Sequence, residues 1–344
     1  DIYVNNTYTP ERYGPVKWYK NGVGYTSLEQ SKDSEGKDIV LYQTETGDKQ
    51  ILVSASGLIP EGKDKPLWIS DYQFSNDGNY LMVFTNTQRV WRSHTRGDYW
   101  ILNIHTGELT QLGRDLPVSS LMFAKFSPDS KKVAYVSEKN IYTEDVSGGN
   151  MQQLTYDGGG NIINGTTDWA YEEEFGLRDA FRWGNDSKKI AFWQINTEGV
   201  GVFTLINNID SVYAQTTSFA YPKVGTVNPE ARIGVVDLHD KQIIWMKTEG
   251  DSRNNYLPWM EWTSRTDELV IQQINRTQNI NRIILANTVS GATSVIFTEE
   301  TASWTEVVED LTWINGGKGF TWKSDRTGWL HLYLVSSDGK ALKQ

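Results

Sequence analysis

Apolar and polar residues alternate along most of the chain, in short runs separated by turns rich in Asp, Asn and Gly. Such runs are typical of antiparallel strands joined by tight turns. Several units open with an aromatic residue and a polar turn, as if copied from one motif: FSNDGNYLMVF (74–84), FSPDSKKVAYV (126–136) and WGNDSKKIAFWQIN (183–196). The pattern predicts an all-β chain assembled from repeats.

The copies recur at about 50 to 57 residues, and the spacing widens to about 80 residues where an insertion interrupts the third copy. Each copy offers four short strands, which fits the blade of a β-propeller. Because a single four-stranded sheet cannot bury both of its faces, the blades are expected to stack around a channel. We therefore predict a β-propeller with about six antiparallel blades and a short helical insertion, with a β-sandwich as the alternative.

Composition narrows the function classes. The chain has 344 residues, a formal net charge of −10 and a pI of about 5.0, and it lacks the basic patch that nucleic-acid binders carry. No apolar run approaches the roughly 18 residues of a membrane-spanning helix. There are no cysteines, and the four histidines are scattered without ligand spacing. Neither a metal site nor a cofactor is predicted.

The stretch DWAYEEEF (168–175) places three consecutive glutamates, Glu172, Glu173 and Glu174, inside an aromatic frame. Asp168 is a good N-cap, and the residues after it favour one or two helical turns. The run is either a solvated helix face or a site for a cation. Two carboxylates about 4 Å apart repel by roughly 4 kcal/mol at an effective dielectric near 20. An α-ammonium group would relieve this repulsion and donate charge-assisted hydrogen bonds.

In this stretch the chain resembles the dipeptidyl peptidase IV family of serine exopeptidases. Three further segments carry the resemblance in the same order along the chain: VWRSHTRGDYWILN (90–103), YPKVGTVNPEARIGVVDL (221–238) and GFTWKSDRTGWLHLYL (319–334). The last of these is a general blade pattern and is less specific. Together the segments cover nearly the whole chain.

The resemblance implies an eight-bladed propeller joined to an α/β-hydrolase domain with a Ser-Asp-His triad. Such enzymes remove dipeptides with proline or alanine in second place from free N-termini. By resemblance, Glu173 and Glu174 hold the α-ammonium group of the substrate, and Arg92 contacts a substrate carbonyl and orients the acidic pair. Glu172 is then a structural residue. Trp304, in SWTEVVED (303–310), is either an aromatic substrate contact or an ordinary blade-core tryptophan.

The catalytic half of such an enzyme is missing from the sequence. No G-x-S-x-G motif occurs in the 344 residues, although the nucleophile of an α/β-hydrolase sits on such a turn. We expect residues 1–344 to be a truncated N-terminal propeller domain that is inactive by itself and lacks the hydrolase domain. Three alternatives stay open: a tripeptidyl peptidase of the same family, a stand-alone peptide- or protein-binding propeller, and a propeller glycosidase. Adjacent carboxylates suit a glycosidase poorly, because its two acids flank the bond at about 5 Å or more.

The resemblance also indicates partners and a location. The expected partners are peptides with a free N-terminus, the chain's own hydrolase domain, and a second copy that it meets through an arm preceding segment 221–229. Because animal members carry disulfides in this region, the absence of cysteines favours a bacterial protein that is periplasmic or secreted, with its signal peptide either removed or outside residues 1–344.

Overall fold

The computed structural model describes residues 2–10, 14–314 and 316–344. In these ranges nearly all regular structure is β, with one α-helix at Trp169–Phe175 and two 3-10 turns at Lys20–Gly22 and Ala55–Leu58. Contacts along the chain separate two compact units. The first consists of 1–126, 130–133 and 144–151, and the second of 127–129, 134–143 and 152–344.

Two four-stranded antiparallel sheets lie in the first unit, each with its strands in chain order. The first sheet contains β1 (Val16–Tyr19), β2 (Gly24–Gln30), β3 (Lys37–Gln43) and β4 (Lys49–Val53). The second contains β5 (Asp71–Phe74), β6 (Tyr80–Val90), β7 (Ser93–Asn103) and β8 (Leu109–Gln111). Apolar side chains from both sheets form one buried cluster, which includes Ile39, Leu58, Tyr72 and Leu81.

A third four-stranded sheet contains β9 (Met122–Phe126), β10 (Lys132–Ser137), β11 (Asn140–Asp145) and β12 (Gln152–Gln153), again in chain order. The division between the two units passes through this sheet. Its central strands are almost completely buried. This burial agrees with the apolar run Val133–Val136 of β10, whereas β11 also buries the polar residues Asn140, Thr143 and Glu144.

The fourth sheet, in the second unit, has five strands and contains the insertion. Strand β13 (Ile162–Asn164) precedes the helix, and β14 (Phe181–Trp183) and β15 (Lys189–Asn196) follow it. A separate two-stranded ribbon, β16 (Val202–Asn207) and β17 (Gln215–Ala220), then interrupts the sheet before β18 (Glu230–Asp237) and β19 (Ile243–Trp245) complete it. The strand order is β13-β15-β18-β19, and β14 also pairs with β15.

Two four-stranded sheets complete the second unit, both in chain order. The fifth contains β20 (Asn255–Trp262), β21 (Glu268–Asn275), β22 (Ile280–Asn287) and β23 (Thr293–Glu300). The sixth contains β24 (Trp313–Ile314), β25 (Gly319–Ser324), β26 (His331–Ser336) and β27 (Leu342–Lys343). The described residues thus form six blade-like sheets, which confirms the predicted repeat. The pattern did not predict the extra strand β13.

The polar turn that opens the repeats is fixed by local hydrogen bonds. The Ser75 hydroxyl donates to Asp77 Oδ1 at 2.6 Å, and the Ser127 hydroxyl donates to Asp129 Oδ1 at 2.7 Å. Side chains of this kind stabilise turns by bonding to near neighbours in the chain. In the first of these turns Gly78 has φ of +73°, a conformation that glycine adopts without steric cost. The recurring Ser-x-Asp motif is therefore a structural signal.

The fourth and fifth sheets share the largest described core cluster, which holds the Glu-bearing helix in place. Trp193 of β15 is fully buried there, and its indole N–H donates to the backbone carbonyl of Leu257 in β20 at 2.7 Å. The pairing of β20 with β21 shifts register between Tyr256 and Trp259. Such an irregularity interrupts the hydrogen-bond ladder, so the indole supplies a donor where the neighbouring strand does not.

We expect Trp193→Phe to lower the free energy of unfolding by about 2 kcal/mol, because the buried Leu257 carbonyl loses its donor. Urea denaturation measures the change. The matched control is Trp329→Phe in the same unit. The Trp329 side chain is 79% exposed, so this substitution should lower the free energy of unfolding by less than about 0.5 kcal/mol. Equal midpoints for both variants would show that the indole bond contributes nothing to stability.

Candidate functional site at the glutamate-bearing helix

The three glutamates lie on a helix with a defined start and end. The helix, α1, spans Trp169–Phe175, as the sequence predicted. Asp168 is its N-cap, because Asp168 Oδ1 accepts the backbone N–H of Tyr171 at 3.2 Å. Gly176 ends it in the left-handed conformation, with φ of +62°. Both ends are thus set by local sequence.

Tyr171 anchors this helix in the core. Its side chain is 1% exposed, and its hydroxyl oxygen accepts the backbone N–H of Leu257 at 3.2 Å. The Trp193 indole binds the carbonyl of the same residue. One residue in the irregular part of β20 is therefore held through both of its backbone polar groups. Burial raises the pKa of the Tyr171 phenol far above its usual range, so the hydroxyl stays neutral.

Asp168 does more than cap the helix. Its side chain is buried, and within the described part of the chain Oδ2 has no hydrogen-bond partner. Burial raises the pKa of this carboxyl to about 6, although the bond from the Tyr171 backbone acts in the opposite direction. The charge of Glu172 raises the pKa further. Asp168 is therefore a carboxyl that ionises at a cost.

The three glutamates have different surroundings. Glu172 points to Arg178, with 2.9 Å between its Oε1 and the guanidinium Nε, and only 14% of its side chain is exposed. Glu173 is half-buried and Glu174 is exposed. The pairing of Glu172 suits the structural role predicted for it. Glu173 and Glu174 follow it on the helix as the more accessible members of the run.

Glu174 lines a cavity of about 400 Å³ in the second unit. Five aromatic side chains share its wall with Glu174: Trp169, Tyr171, Phe175, Tyr256 and Trp304. The structure thus brings two sequence-predicted site residues, Glu174 and Trp304, to one cavity. Glu173 lies beside Glu174 on the helix but is not part of this lining. Two basic side chains, Lys223 and Arg276, also line the cavity, and Glu174 is the acidic member of the lining. A carboxylate beside aromatic rings can bind an organic cation.

Another part of the lining comes from the loop of residues 222–229, whose backbone is held by side chains from outside the loop. Arg276 donates to the carbonyl of Thr226 at 2.6 Å, and Arg253 donates to the carbonyl of Asn228 at 2.8 Å. The amide of Asn228 donates to the Tyr256 hydroxyl at 2.9 Å. These hydrogen bonds fix the segment YPKVGTVNP (221–229) in the conformation in which it lines the cavity.

Trp304 lies on a loop that a buried glutamine supports. Half of the Trp304 surface is exposed, so the alternative of an ordinary blade-core tryptophan is wrong. Gln272 of β21 donates to the carbonyl of Val308 at 2.7 Å and accepts its N–H at 3.0 Å. The Asn281 amide donates to Gln272 at 2.9 Å and to the carbonyl of Glu306 at 3.2 Å. Sequence reasoning missed Gln272, although two adjacent glutamines inside the apolar strand LVIQQI were a signal.

Arg92 belongs to the other compact unit. It lies with Trp91 in the two-residue turn between β6 and β7, and Trp91 there has φ of +54°. The predicted contact of Arg92 with a substrate carbonyl stays a prediction.

No group of three or more acidic or histidine side chains that could hold a metal ion occurs in ranges 2–10, 14–314 and 316–344. In the same ranges no helix has both the length and the apolar character needed to span a membrane.

The chain matches a known protein family over most of its length. Residues 75–344 match the family described as the dipeptidyl peptidase IV (DPP IV) N-terminal region. The chain belongs to this family. The predicted family is thereby confirmed.

Individual relatives agree with this assignment. A probable dipeptidyl peptidase 4 of Emericella nidulans is 28% identical over 320 residues, which cover 87% of this chain and 41% of the relative. Human prolyl endopeptidase FAP is 28% identical over 344 residues, with 97% and 40% covered. The chain therefore spans about two fifths of the length of these curated relatives.

A solved structure supports the fold class. The crystal structure of Porphyromonas gingivalis dipeptidyl peptidase 4 superposes with a TM-score of 0.84 at 26% identity, over 94% of this chain and 45% of the other. The predicted fold class, a β-propeller of four-stranded blades, is confirmed. Because the relatives come from fungi, a mammal and a bacterium, the periplasmic or secreted bacterial location stays a prediction.

The buried carboxyl of Asp168 predicts a stability that depends on pH. A folded-state pKa near 6, against an ordinary 3.8, means that the folded chain holds this proton more tightly than the unfolded chain does. This stabilisation is complete below about pH 4 and is lost as the pH rises through 6, at a cost of about 3 kcal/mol. Asp168→Asn keeps the cap without the charge, so its stability relative to the parent should rise by that amount between pH 4 and pH 7.

Denaturation at a series of pH values measures this difference. Asp168→Ser, which also keeps an N-cap oxygen without a charge, should show the same trend with pH. A difference curve that stays flat for both variants would mean that Asp168 ionises in the folded chain as easily as in the unfolded one.

Proposed function

We propose that this chain is the substrate-gating, amine-binding propeller domain of a dipeptidyl peptidase IV-like serine exopeptidase. The complete enzyme would release dipeptides with proline or alanine in second place from peptide N-termini. In this proposal residues 1–344 are the propeller domain, a separate α/β-hydrolase domain carries the Ser-Asp-His triad, and this chain alone is inactive. Family membership and the relatives named dipeptidyl peptidase 4 support it.

The observation that carries the proposal is the position of Glu174. It lies at the wall of a cavity that Trp304 also lines, on a helix whose start, end and buried side are all fixed. A binding group on a fixed element loses little freedom when a ligand arrives. Glu173 adds a second carboxylate one residue away, and their mutual repulsion favours a bound cation. A primary ammonium group with three N–H donors suits such a pair.

Amine binding would set which bond is cut. If the α-ammonium group rests at Glu173 and Glu174, the distance from these acids to the nucleophile selects the scissile bond. A peptide without a free amine at that point would lack the charge-assisted hydrogen bonds to these carboxylates, which lowers its affinity for the site. A tripeptidyl peptidase would use the same acids at a distance one residue longer. The length of the released product distinguishes the two.

We expect Glu173→Gln and Glu174→Gln each to lower kcat/KM of the complete enzyme about 100-fold, which corresponds to about 3 kcal/mol for a lost charge pair. The assay uses an Xaa-Pro chromogenic substrate with a free amine, and mass spectrometry of a longer peptide identifies the released product. The control is Glu198→Gln, an exposed acid outside the cavity, which should cut at the parental rate.

Three results would contradict the proposal. The first is parental efficiency in both glutamine variants. The second is efficient cleavage of the same substrate after its amine is acetylated. The third is the absence of peptidase activity from the complete protein, which would favour a stand-alone binding propeller.

We also propose that two copies associate through the ribbon of β16 and β17. Every residue of β16 is exposed, including Val202, Leu205 and Ile206. An apolar strand with an exposed edge is a surface suited to a partner.

Ile206→Asp should shift the protein from dimer to monomer in light-scattering measurements, because a charge would replace an exposed apolar side chain of the ribbon. Val289→Asp, in the equally exposed turn between β22 and β23, should not. A protein that is monomeric without substitution would contradict this proposal.

A further inference from the structure

The base of the ribbon carries three aromatic rings on one face. The pairing of β16 with β17 places Phe203 directly opposite Phe219. Tyr221 follows two residues after Phe219, so it points to the same side as long as the chain stays extended. The ring centroids confirm this grouping, with Phe203 at 6.1 Å from Phe219 and at 5.4 Å from Tyr221.

This aromatic face packs against the first residue of the glutamate-bearing helix. Trp169 lies 4.2 Å from Tyr221 and 6.3 Å from Phe219 between ring centroids, with tilts of 36° and 41°. These separations are typical of favourable aromatic pairs. We name the four rings Trp169, Phe203, Phe219 and Tyr221 the ribbon cluster. It connects an otherwise exposed ribbon to α1.

Two members of the ribbon cluster, Trp169 and Tyr221, connect it to the cavity. Trp169 is part of the cavity wall, and Tyr221 leads directly into the wall loop that begins at Pro222. Phe203 and Phe219 are not part of the lining. Any effect of these two rings on a ligand in the cavity must therefore pass through the residues that they support.

Helix α1 needs such support. It has seven residues, too few for a helix to be stable by itself. The Asp168 cap and the Tyr171 anchor fix its start and its buried side. Tyr171 and Phe175 pack against Tyr256 of β20 and hold the side of the helix that faces the fifth sheet, whereas Trp169 lies about 200° around the helix axis from Tyr171. Trp169 projects sideways from the first turn, and its stacking on the ribbon supplies the lateral contact.

We propose that Trp169 is a positioning residue for the amine site, and that Phe219 of the ribbon acts through it to fix the direction in which α1 presents Glu173 and Glu174. This inference rests on the proposed function. It assigns to the base of the ribbon a role in substrate binding that is separate from any role of the ribbon in association.

The test is a double-mutant cycle in the complete enzyme, with the free-amine Xaa-Pro substrate. Phe219→Ala should lower kcat/KM about tenfold with little change in melting temperature, and Trp169→Ala should lower it at least as much. Trp169→Phe keeps a ring and should recover most of the efficiency. In the Trp169→Ala background Phe219→Ala should change kcat/KM less than about twofold, because the residue through which it acts is already lost.

Leu205→Ala is the matched control. Leu205 lies on the same face of β16 as Phe203, two residues further from the cluster. Its loss removes apolar ribbon surface without touching α1, so efficiency should stay parental. It thereby separates positioning from association.

The possible results separate this inference from the proposed function. Parental efficiency in Phe219→Ala, equal losses in Phe219→Ala and Leu205→Ala, or full additivity of Phe219→Ala with Trp169→Ala would each overturn the positioning role while the amine site stands. Parental efficiency in both Glu173→Gln and Glu174→Gln would overturn the proposed function, and the inference with it.

Discussion

The site depends on two hydrogen bonds to the backbone of Leu257, one from its N–H to the Tyr171 hydroxyl and one from the Trp193 indole to its carbonyl. A seven-residue helix has no stability of its own to offer, so its place must come from packing and from hydrogen bonds to other elements. The irregular pairing of β20 leaves backbone groups of Leu257 for side chains to satisfy. The tyrosine on the helix takes one of them, and in doing so attaches the helix to the fifth sheet.

This attachment also determines how a run of acids is tolerated. Four carboxyl groups lie within seven residues of sequence, from Asp168 to Glu174. One is buried and has a raised pKa, and another is paired with Arg178. The remaining two follow on the more accessible part of the helix. The charge of the run is thus distributed over three environments, and Glu173 and Glu174 are the two members that the proposed function assigns to a cation.

Local sequence was enough to predict what local physics determines. The N-cap at Asp168, the bounds of α1 and the interruption of the third repeat by an insertion all follow from spacing and residue type. The contacts that these elements make with distant parts of the chain could not be predicted in this way. Nothing in the sequence pairs Tyr171 with Leu257, because the two are 86 positions apart and the contact exists only where β20 departs from regular pairing. Family resemblance supplied Trp304, but the support of its loop by Gln272 required the structure.

Two irregular segments of the cavity wall are held by side chains that lie in strand β21 or directly after it. Gln272 of β21 holds the loop of Trp304, and Arg276, directly after β21, holds the loop of residues 222–229. In the case of Tyr171 the side chain belongs to the helix, and its hydroxyl accepts a backbone N–H of strand β20. Side-chain clamps of this kind let loops keep one conformation without a hydrogen-bond ladder. The shape of the site therefore depends in part on Gln272, which does not line the cavity, so Gln272→Leu would alter the cavity by releasing the loop of Trp304.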